Sequence, residues 1–223
     1  MKIGIIGYGK MGKIVEKIAL ERGHTISFIL KTNDCKINKD VDVAIDFSTP
    51  NSAFDNIIKC LSNNIKIISG TTGWLDKIEQ VNLKCKSLNG TFLYASNFSL
   101  GANIFFELNK KLSKLMSNLK YNVSIFEKHH IHKLDKPSGT AITLAKDIES
   151  TSNLLFKDIP IESIRENEIN GKHSITYEST EDSISITHKA KNRIGFALGA
   201  VITAEWINDK EGIYNIKDML KLG

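Results

Sequence analysis

The chain has 223 residues, 41% of them apolar, with 30 basic and 25 acidic side chains and a net charge of +5. That supports one large domain or two small ones with real cores. The lysines are mixed with acids in no basic stripe with interleaved aromatics, which argues against nucleic acid as a partner, and no apolar run approaches the ~18 residues of a membrane span.

Residues 2–6 form a short apolar run, and Gly7, Tyr8, Gly9, Lys10, Met11 and Gly12 follow at once. Met11, Ile14, Val15, Ile18 and Ala19 then recur at helical spacing up to a stop at Gly23. Strand, Gly-x-Gly-x-x-Gly and helix in that order form the dinucleotide-binding pattern. The first glycine permits a tight turn, the second lets backbone approach a pyrophosphate, and the third allows close helix–strand packing.

The alternation continues. Thr25–Leu30 reads as a second strand and residues 41–47 as a third. Ser48, Thr49 and Pro50 cap a helix whose inner face is Ala53, Phe54, Ile57, Ile58 and Leu61. Residues 65–69 form another strand ending in Gly70, Thr71, Thr72 and Gly73, before a helix over 75–86. A strand over 92–95 leads into Ala95, Ser96, Asn97 and Phe98. Such alternation predicts an α/β, Rossmann-like, doubly wound parallel sheet with ligands at the strands' carboxyl ends. Gly70, Thr71, Thr72 and Ala95 to Phe98 lie at two such ends. The acid that usually binds the ribose 2′-hydroxyl is replaced by Leu30-Lys31-Thr32-Asn33, with Asp34 three positions late. Lys31 could pair with a 2′-phosphate, so NADPH is expected in preference to NADH.

The second half changes character. A helix over 101–116 shows Ile104, Phe105, Leu108, Leu112 and Leu115 on one face. Residues 121–127 alternate as a strand, and a helix after Ser138 turns Ala141, Ile142, Leu144, Ala145 and Ile148 inward. Strands over 159–165, 173–178 and Ser183–Lys189 complete an α+β domain with a mostly antiparallel sheet. Helices over 196–207 and Ile216–Leu220 return to the first domain. The expected domains are 1–99 with 195–223, and 100–194.

Between the strand and helix lies the most telling segment, Glu127 to Ala141, with three of the six histidines and three lysines. A core does not need it. A site that grips a small polyanion and gives it a proton does: lysines supply charge, imidazoles titrate near neutrality, and a helix start offers free N–H groups. If the segment is extended, His129 and Lys133 share a face and His130 points away.

Together the glycine turn, Gly70-Thr71-Thr72-Gly73, Ala95-Ser96-Asn97-Phe98 and His129-His130-Ile131-His132-Lys133 with Pro137-Ser138-Gly139-Thr140 resemble the 4-hydroxy-tetrahydrodipicolinate (dihydrodipicolinate) reductase family of lysine biosynthesis. Thr187 to Ala190, Arg193, Phe196-Ala197, Gly199-Ala200 and Gly212-Ile213-Tyr214 resemble its closing motifs. The resemblance implies a homotetramer joined through the second domain and hydride transfer from NADPH or NADH to a cyclic, imine-containing dicarboxylate, with loss of water. It makes His129 the general acid and Lys133 the assisting proton donor and carboxylate anchor. His130, Gly139 and Thr140 bind substrate. The cofactor lies against Gly7, Tyr8, Gly9, Lys10, Met11, Gly12, Lys31, Gly70, Thr71, Thr72, Ala95, Ser96, Asn97 and Phe98. Two departures stand out: the stretch from Glu149 to Ser174 is short for the family, and Glu166 replaces a usual glycine.

Other readings predict different behaviour. An amino-acid or sugar dehydrogenase of the same plan would need a single acid, not a doubled histidine with Pro-Ser-Gly-Thr. A nucleotide-sensing module would leave the basic cluster unexplained. No metal is expected, because zinc at His129, His130 and His132 would lack a nearby Cys or positioned carboxylate. His24, His173 and His188 read as structural or exposed, and Arg193 as a surface ion-pair residue. Cys35, Cys60 and Cys85, odd in number and without a Cys-x-x-Cys pair, read as reduced thiols. With an N-terminus that starts directly as strand and turn, they point to the cytoplasm.

Overall fold

The computed structural model describes residues 1–31 and 37–222. Thr32, Asn33, Asp34 and Cys35, which entered the reading above, lie outside the described residues. The chain divides into two compact units, Met1–Leu100 with Arg193–Gly223, and Gly101–Asn192.

In chain order the first unit begins with β1 (Lys2–Ile6), α1 (Lys10–Glu21), β2 (Thr25–Leu30), β3 (Val43–Asp46), α2 (Pro50–Ser62) and β4 (Lys66–Ser69). A 3-10 turn at Leu75–Lys77 precedes α3 (Ile78–Ser87), and β5 (Thr91–Tyr94) follows. The second unit takes up α4 (Leu100–Met116), β6 (Asn122–His129), α5 (Gly139–Thr151), β7 (Ile161–Arg165), β8 (Lys172–Glu178) and β9 (Ser183–Lys189). The chain ends with α6 (Ile194–Ile207), β10 (Gly212–Asn215) and α7 (Ile216–Leu220) in the first unit.

The first unit is a six-stranded sheet in the order β10-β5-β4-β3-β1-β2, parallel throughout. The period-two alternation of its strands feeds two cores. Ile3, Ile5, Val43, Ile45, Ile68 and Leu93 face α1 and α6, while Ile6, Ala44, Ile67 and Phe92 face α2 and α3. From β1 the chain goes to β2 on one side, then returns to build β3, β4 and β5 on the other. The switch point therefore falls between β1 and β3, beside the glycine turn.

The sequence reading missed β10. It is four residues long and half-buried, without the alternation that marks a strand. Its pairing with β5, from Gly212 opposite Thr91 to Asn215 opposite Tyr94, comes from tertiary contact.

The second unit's sheet has the order β7-β6-β8-β9. The β6–β7 pair is parallel and the other two are antiparallel. Helices α4 and α5 share a core with this sheet through Phe105, Met116, Val123, Ile125, Leu144, Ile148 and Ile175. The apolar face expected of α4 is only partly the buried one: Phe105 is buried and Leu112 half-buried, but Ile104, Leu108 and Leu115 are 44%, 49% and 74% exposed. Ala102, Asn109, Ser113 and Met116 are buried beside Phe105. Asn109 Nδ2 donates to Leu144 O at 3.0 Å and Ser113 Oγ to Ile148 O at 3.5 Å. Polar residues bonded to α5 carbonyls belong inside, and a periodicity that counts only apolar side chains cannot register them.

Candidate active site

In the first unit, Gly7 has φ +85° and its N–H donates to Leu30 O at 2.9 Å, so the chain leaves β1 through a conformation that suits glycine. A Cβ on Gly12 would lie 2.1 Å from Gly7 O, which fixes that glycine by close packing. At Gly9 a Cβ would meet nothing within 4 Å. Gly9 is also the N-cap of α1 and provides no side-chain cap. Open space before an uncapped helix start is what a pyrophosphate requires, so these residues fit a dinucleotide.

Around this turn, Lys31 Nζ and Lys13 Nζ lie 5.7 Å and 6.0 Å from the centre of the Tyr8 ring. The Tyr8 hydroxyl donates to Glu16. Lys10 is exposed, and Met11 packs half-buried against the core. A small cavity at the carboxyl ends of β1, β2 and β3 is lined by Gly7, Lys31, Ser48, Thr49, Ser52 and Asn56 among others.

The two neighbouring loops mix exposed and framework residues. A Cβ on Gly70 would strike the Phe47 ring at 2.2 Å. Thr71 Oγ1 donates to Asp46 Oδ2 at 2.8 Å and accepts from Ser48 N at 2.9 Å, so its side chain is turned into the protein. Ala95 and Phe98 are buried, with Phe98 edge-on to Phe47 at 5.8 Å. Thr72 and Ser96 are exposed, and Asn97 Oδ1 accepts from Ser99 N at 2.8 Å. Asp46, which the sequence reading passed over, is fully buried and accepts from both Thr71 and Ser69. Burial raises its pKa more than these hydroxyl donors lower it.

The second unit holds the histidine segment. Strand β6 runs through to His129, so the alternation that buries Val123 and Ile125 also buries Glu127 and His129 on the same face. His129 Nδ1 is hydrogen-bonded to Glu127 Oε2. Glu127 Oε1 lies 2.8 Å from Arg165 Nη1. His173, on β8 opposite Glu127, packs its ring edge-to-face on His129 with centroids 4.9 Å apart. His173 Nε2 is 3.1 Å from Ser138 Oγ, and Ser138 caps α5 by accepting from Ala141 N at 3.3 Å.

Burial pushes the His129 pKa below its ordinary value, and the Lys133 and Arg165 charges add to this against the opposing pull of Glu127. His173 is driven down to about 4, first by burial and then by the His129 charge. Burial acts to raise Glu127, but the neighbouring Ser163 hydroxyl, Arg165 guanidinium and His129 ring outweigh it and leave the carboxyl below the usual range.

After His129 the chain turns, with Lys133 N bonded to His130 O at 3.2 Å. The extended-strand argument that put His129 and Lys133 on one face therefore fails, because the strand ends where the argument begins. Lys133 Nζ is 2.8 Å from Asp135 Oδ1. His130 is half-buried, with its ring 6.1 Å from that of His132. Gly139 opens α5, where a Cβ would find nothing within 4 Å, and Thr140 follows it half-buried.

Glu127 and Arg165 received no role from the sequence, and His173 was read as structural or exposed. Alternation could have paired Glu127 with His129. Nothing local could have set Arg165 opposite His129 or His173 opposite Glu127. A carboxylate is thus positioned by the histidines after all: Glu127, His129 and His173 each bring a potential ligand atom within 4.8 Å of the others. The guanidinium beside Glu127 already supplies the positive charge a cation would bring. His24 pairs with Glu205 at 2.7 Å, and His188 stacks on Phe105 at 5.9 Å.

Models of the two halves of one family match the chain: "Dihydrodipicolinate reductase, N-terminus" over residues 1–98 and "Dihydrodipicolinate reductase, C-terminus" over residues 101–220. The chain belongs to the dihydrodipicolinate reductase family. A family member from Christiangramia forsetii, named 4-hydroxy-tetrahydrodipicolinate reductase, is 50% identical over 99% of this chain and 98% of its own length. One of the same name from Thermosipho africanus is 34% identical, with 99% and 98% covered. The chain is as long as these two relatives, but two of the same name from Buchnera aphidicola, both 36% identical, match 85% of this chain over 76% of their own length, so it is short beside those. The fold matches a dipicolinate-bound dihydrodipicolinate reductase from Paenisporosarcina sp. TG-14 with TM-score 0.81, 21% identity and 99% of both chains covered. It also resembles a probable dehydrogenase from Thermotoga maritima at TM-score 0.58 and 11% identity.

Proposed function

We propose that this chain reduces 4-hydroxy-tetrahydrodipicolinate to tetrahydrodipicolinate in diaminopimelate and lysine biosynthesis. The observation that carries the reading is the 50% identity, essentially end to end, to a relative named for this reaction. One hydride and one proton enter the substrate, and its hydroxyl leaves as water. Bound at the glycine turn, NAD(P)H supplies the hydride.

In this reading the chain's own residues bind the diacid and manage the proton. His129 is the general acid, placed at the end of β6 with its Nδ1 held by Glu127. Lys133 assists and anchors one carboxylate, which replaces Asp135 as its partner. Gly139 and Thr140 offer the start of α5 to the other carboxylate, and His130 completes the substrate contacts.

The cofactor set is Gly7, Tyr8, Gly9, Lys10, Met11, Gly12, Lys31, Gly70, Thr71, Thr72, Ala95, Ser96, Asn97 and Phe98. Gly12, Gly70, Ala95 and Phe98 act by shaping the backbone, since their surroundings leave no room for other contacts. Lys31 favours NADPH. The working form is a cytoplasmic homotetramer; among the described residues no helix is long and apolar enough to cross a membrane.

The test is a coupled assay in which aspartate semialdehyde, pyruvate and the upstream synthase generate the unstable substrate and loss of reduced nicotinamide absorbance is followed. Turnover that depends on all of them is expected. A purified, folded protein that binds NAD(P)H but oxidises none would overturn the reading.

A further inference from the structure

Arg165 touches more of the candidate site than any role assigned so far requires. Its Nη1 lies 2.8 Å from Glu127 Oε1. Its Nε donates to Lys133 O at 3.1 Å, and its Nη2 donates to Asp135 O. One planar guanidinium therefore pairs with the carboxylate bonded to His129 and also holds the backbone carbonyls of Lys133 and Asp135. Such a fork has fixed geometry, so moving one contact moves the others.

Glu127 is fully buried and is bonded to His129 through Nδ1. That leaves Nε2 as the ring nitrogen available for proton transfer. The residue next to Nε2 is Gly171, where a Cβ would lie 3.0 Å away and where φ is +141°. The ring is thus held at Nδ1, and a side chain at position 171 would crowd Nε2.

We propose that Glu127 and Arg165 form a single positioning unit for both proton-handling residues. Glu127 sets the His129 ring so that Nε2 serves substrate, and Arg165 fixes Glu127 and the Lys133 backbone in one mutual register. The inference rests on the reading of His129 as the acid and extends it to two residues with no assigned role. The titratable groups facing the His129 ring are Glu127 from β6, Arg165 from β7, His173 from β8 and Lys133 from the turn. Among these, only Glu127 favours the charged imidazole.

The experiment compares wild type with Glu127→Gln, Arg165→Met and the double variant Glu127→Gln/Arg165→Met, which leaves no lone buried charge. Glu127→Gln should lower kcat roughly ten- to hundredfold, the scale seen when an orienting partner is lost, with KM changed little. The alkaline limb of its kcat profile should move to lower pH. Arg165→Met should lower kcat and also raise KM for the diacid, because the Lys133 backbone loses its anchor. An NMR titration of 15N-labelled histidine reads His129 without turnover and should show its pKa falling in Glu127→Gln and in the double variant. If Glu127→Gln does not fold, the double variant decides. Wild-type kcat, limb and His129 titration in a folded Glu127→Gln or double variant would overturn the proposal. Failure of the acid assignment is seen separately, as full turnover in His129→Gln, and failure of the functional reading as no turnover in wild type.

Discussion

His129 and Arg165 stand opposite one another in the parallel β6–β7 pair; His129 is hydrogen-bonded to one oxygen of the Glu127 carboxylate and Arg165 is ion-paired with the other. A buried carboxylate shared between an imidazole and a guanidinium holds both in place, and it settles which nitrogen of the imidazole is left for chemistry. The proton-handling role proposed for His129 draws its support from this arrangement rather than from the number of histidines nearby.

Replacing His129 with Gln removes the acid while keeping a polar side chain of similar reach. The expected result is a fall in kcat of roughly 10²–10⁴-fold, the usual range for a lost general acid. NAD(P)H affinity should be unchanged, measured by fluorescence titration. Lys133→Ala should both lower kcat and raise KM for the diacid.

A general acid works only while protonated, so kcat/KM should fall as pH rises through the His129 pKa. Burial holds that pKa below the ordinary value of 6.5. The falling limb of kcat/KM, which reports the free enzyme, should therefore lie below 6.5. A limb above it would mean that another group supplies the proton.

His173 links pH to stability. Its folded pKa is about 4 against an ordinary 6.5, so between those values the unfolded chain binds a proton that the folded chain refuses. Stability should thus decline as pH falls from 6.5 towards 4, by about 3 kcal/mol from this one group. Calorimetric melting across that range, in wild type and His173→Gln, should show a shallower decline in the variant.

Lys31 tests the cofactor preference. Wild type should favour NADPH over NADH in kcat/KM, and Lys31→Glu should reverse the order by setting a like charge against the 2′-phosphate. A wild-type preference for NADH would refute the assignment.

Gly12→Ala places a methyl group 2.1 Å from Gly7 O, and a backbone carbonyl in a tight turn cannot yield as a flexible side chain would. Overpacking of this kind costs about 1–3 kcal/mol. Both melting temperature and NAD(P)H affinity should drop.

Much of this protein was legible in its sequence because the signals are local. The glycine turn needs only neighbours along the chain, as do the cap at Ser138 and the alternation that buries Ile3 and Ile5. The histidine–lysine segment pointed to a candidate site by composition, and the chain's resemblance to a family named the chemistry. Tertiary structure decided what depends on partners distant in sequence. It turned α4 so that Asn109 and Ser113 face α5, and it recruited β10 to the edge of the sheet. It also set Arg165 and His173 on either side of β6. Alternation tells which face of a strand a residue occupies, but strand order and register are settled only when separate strands pair. That is why His129 could be picked out as a candidate from the sequence and the groups packed around it could not.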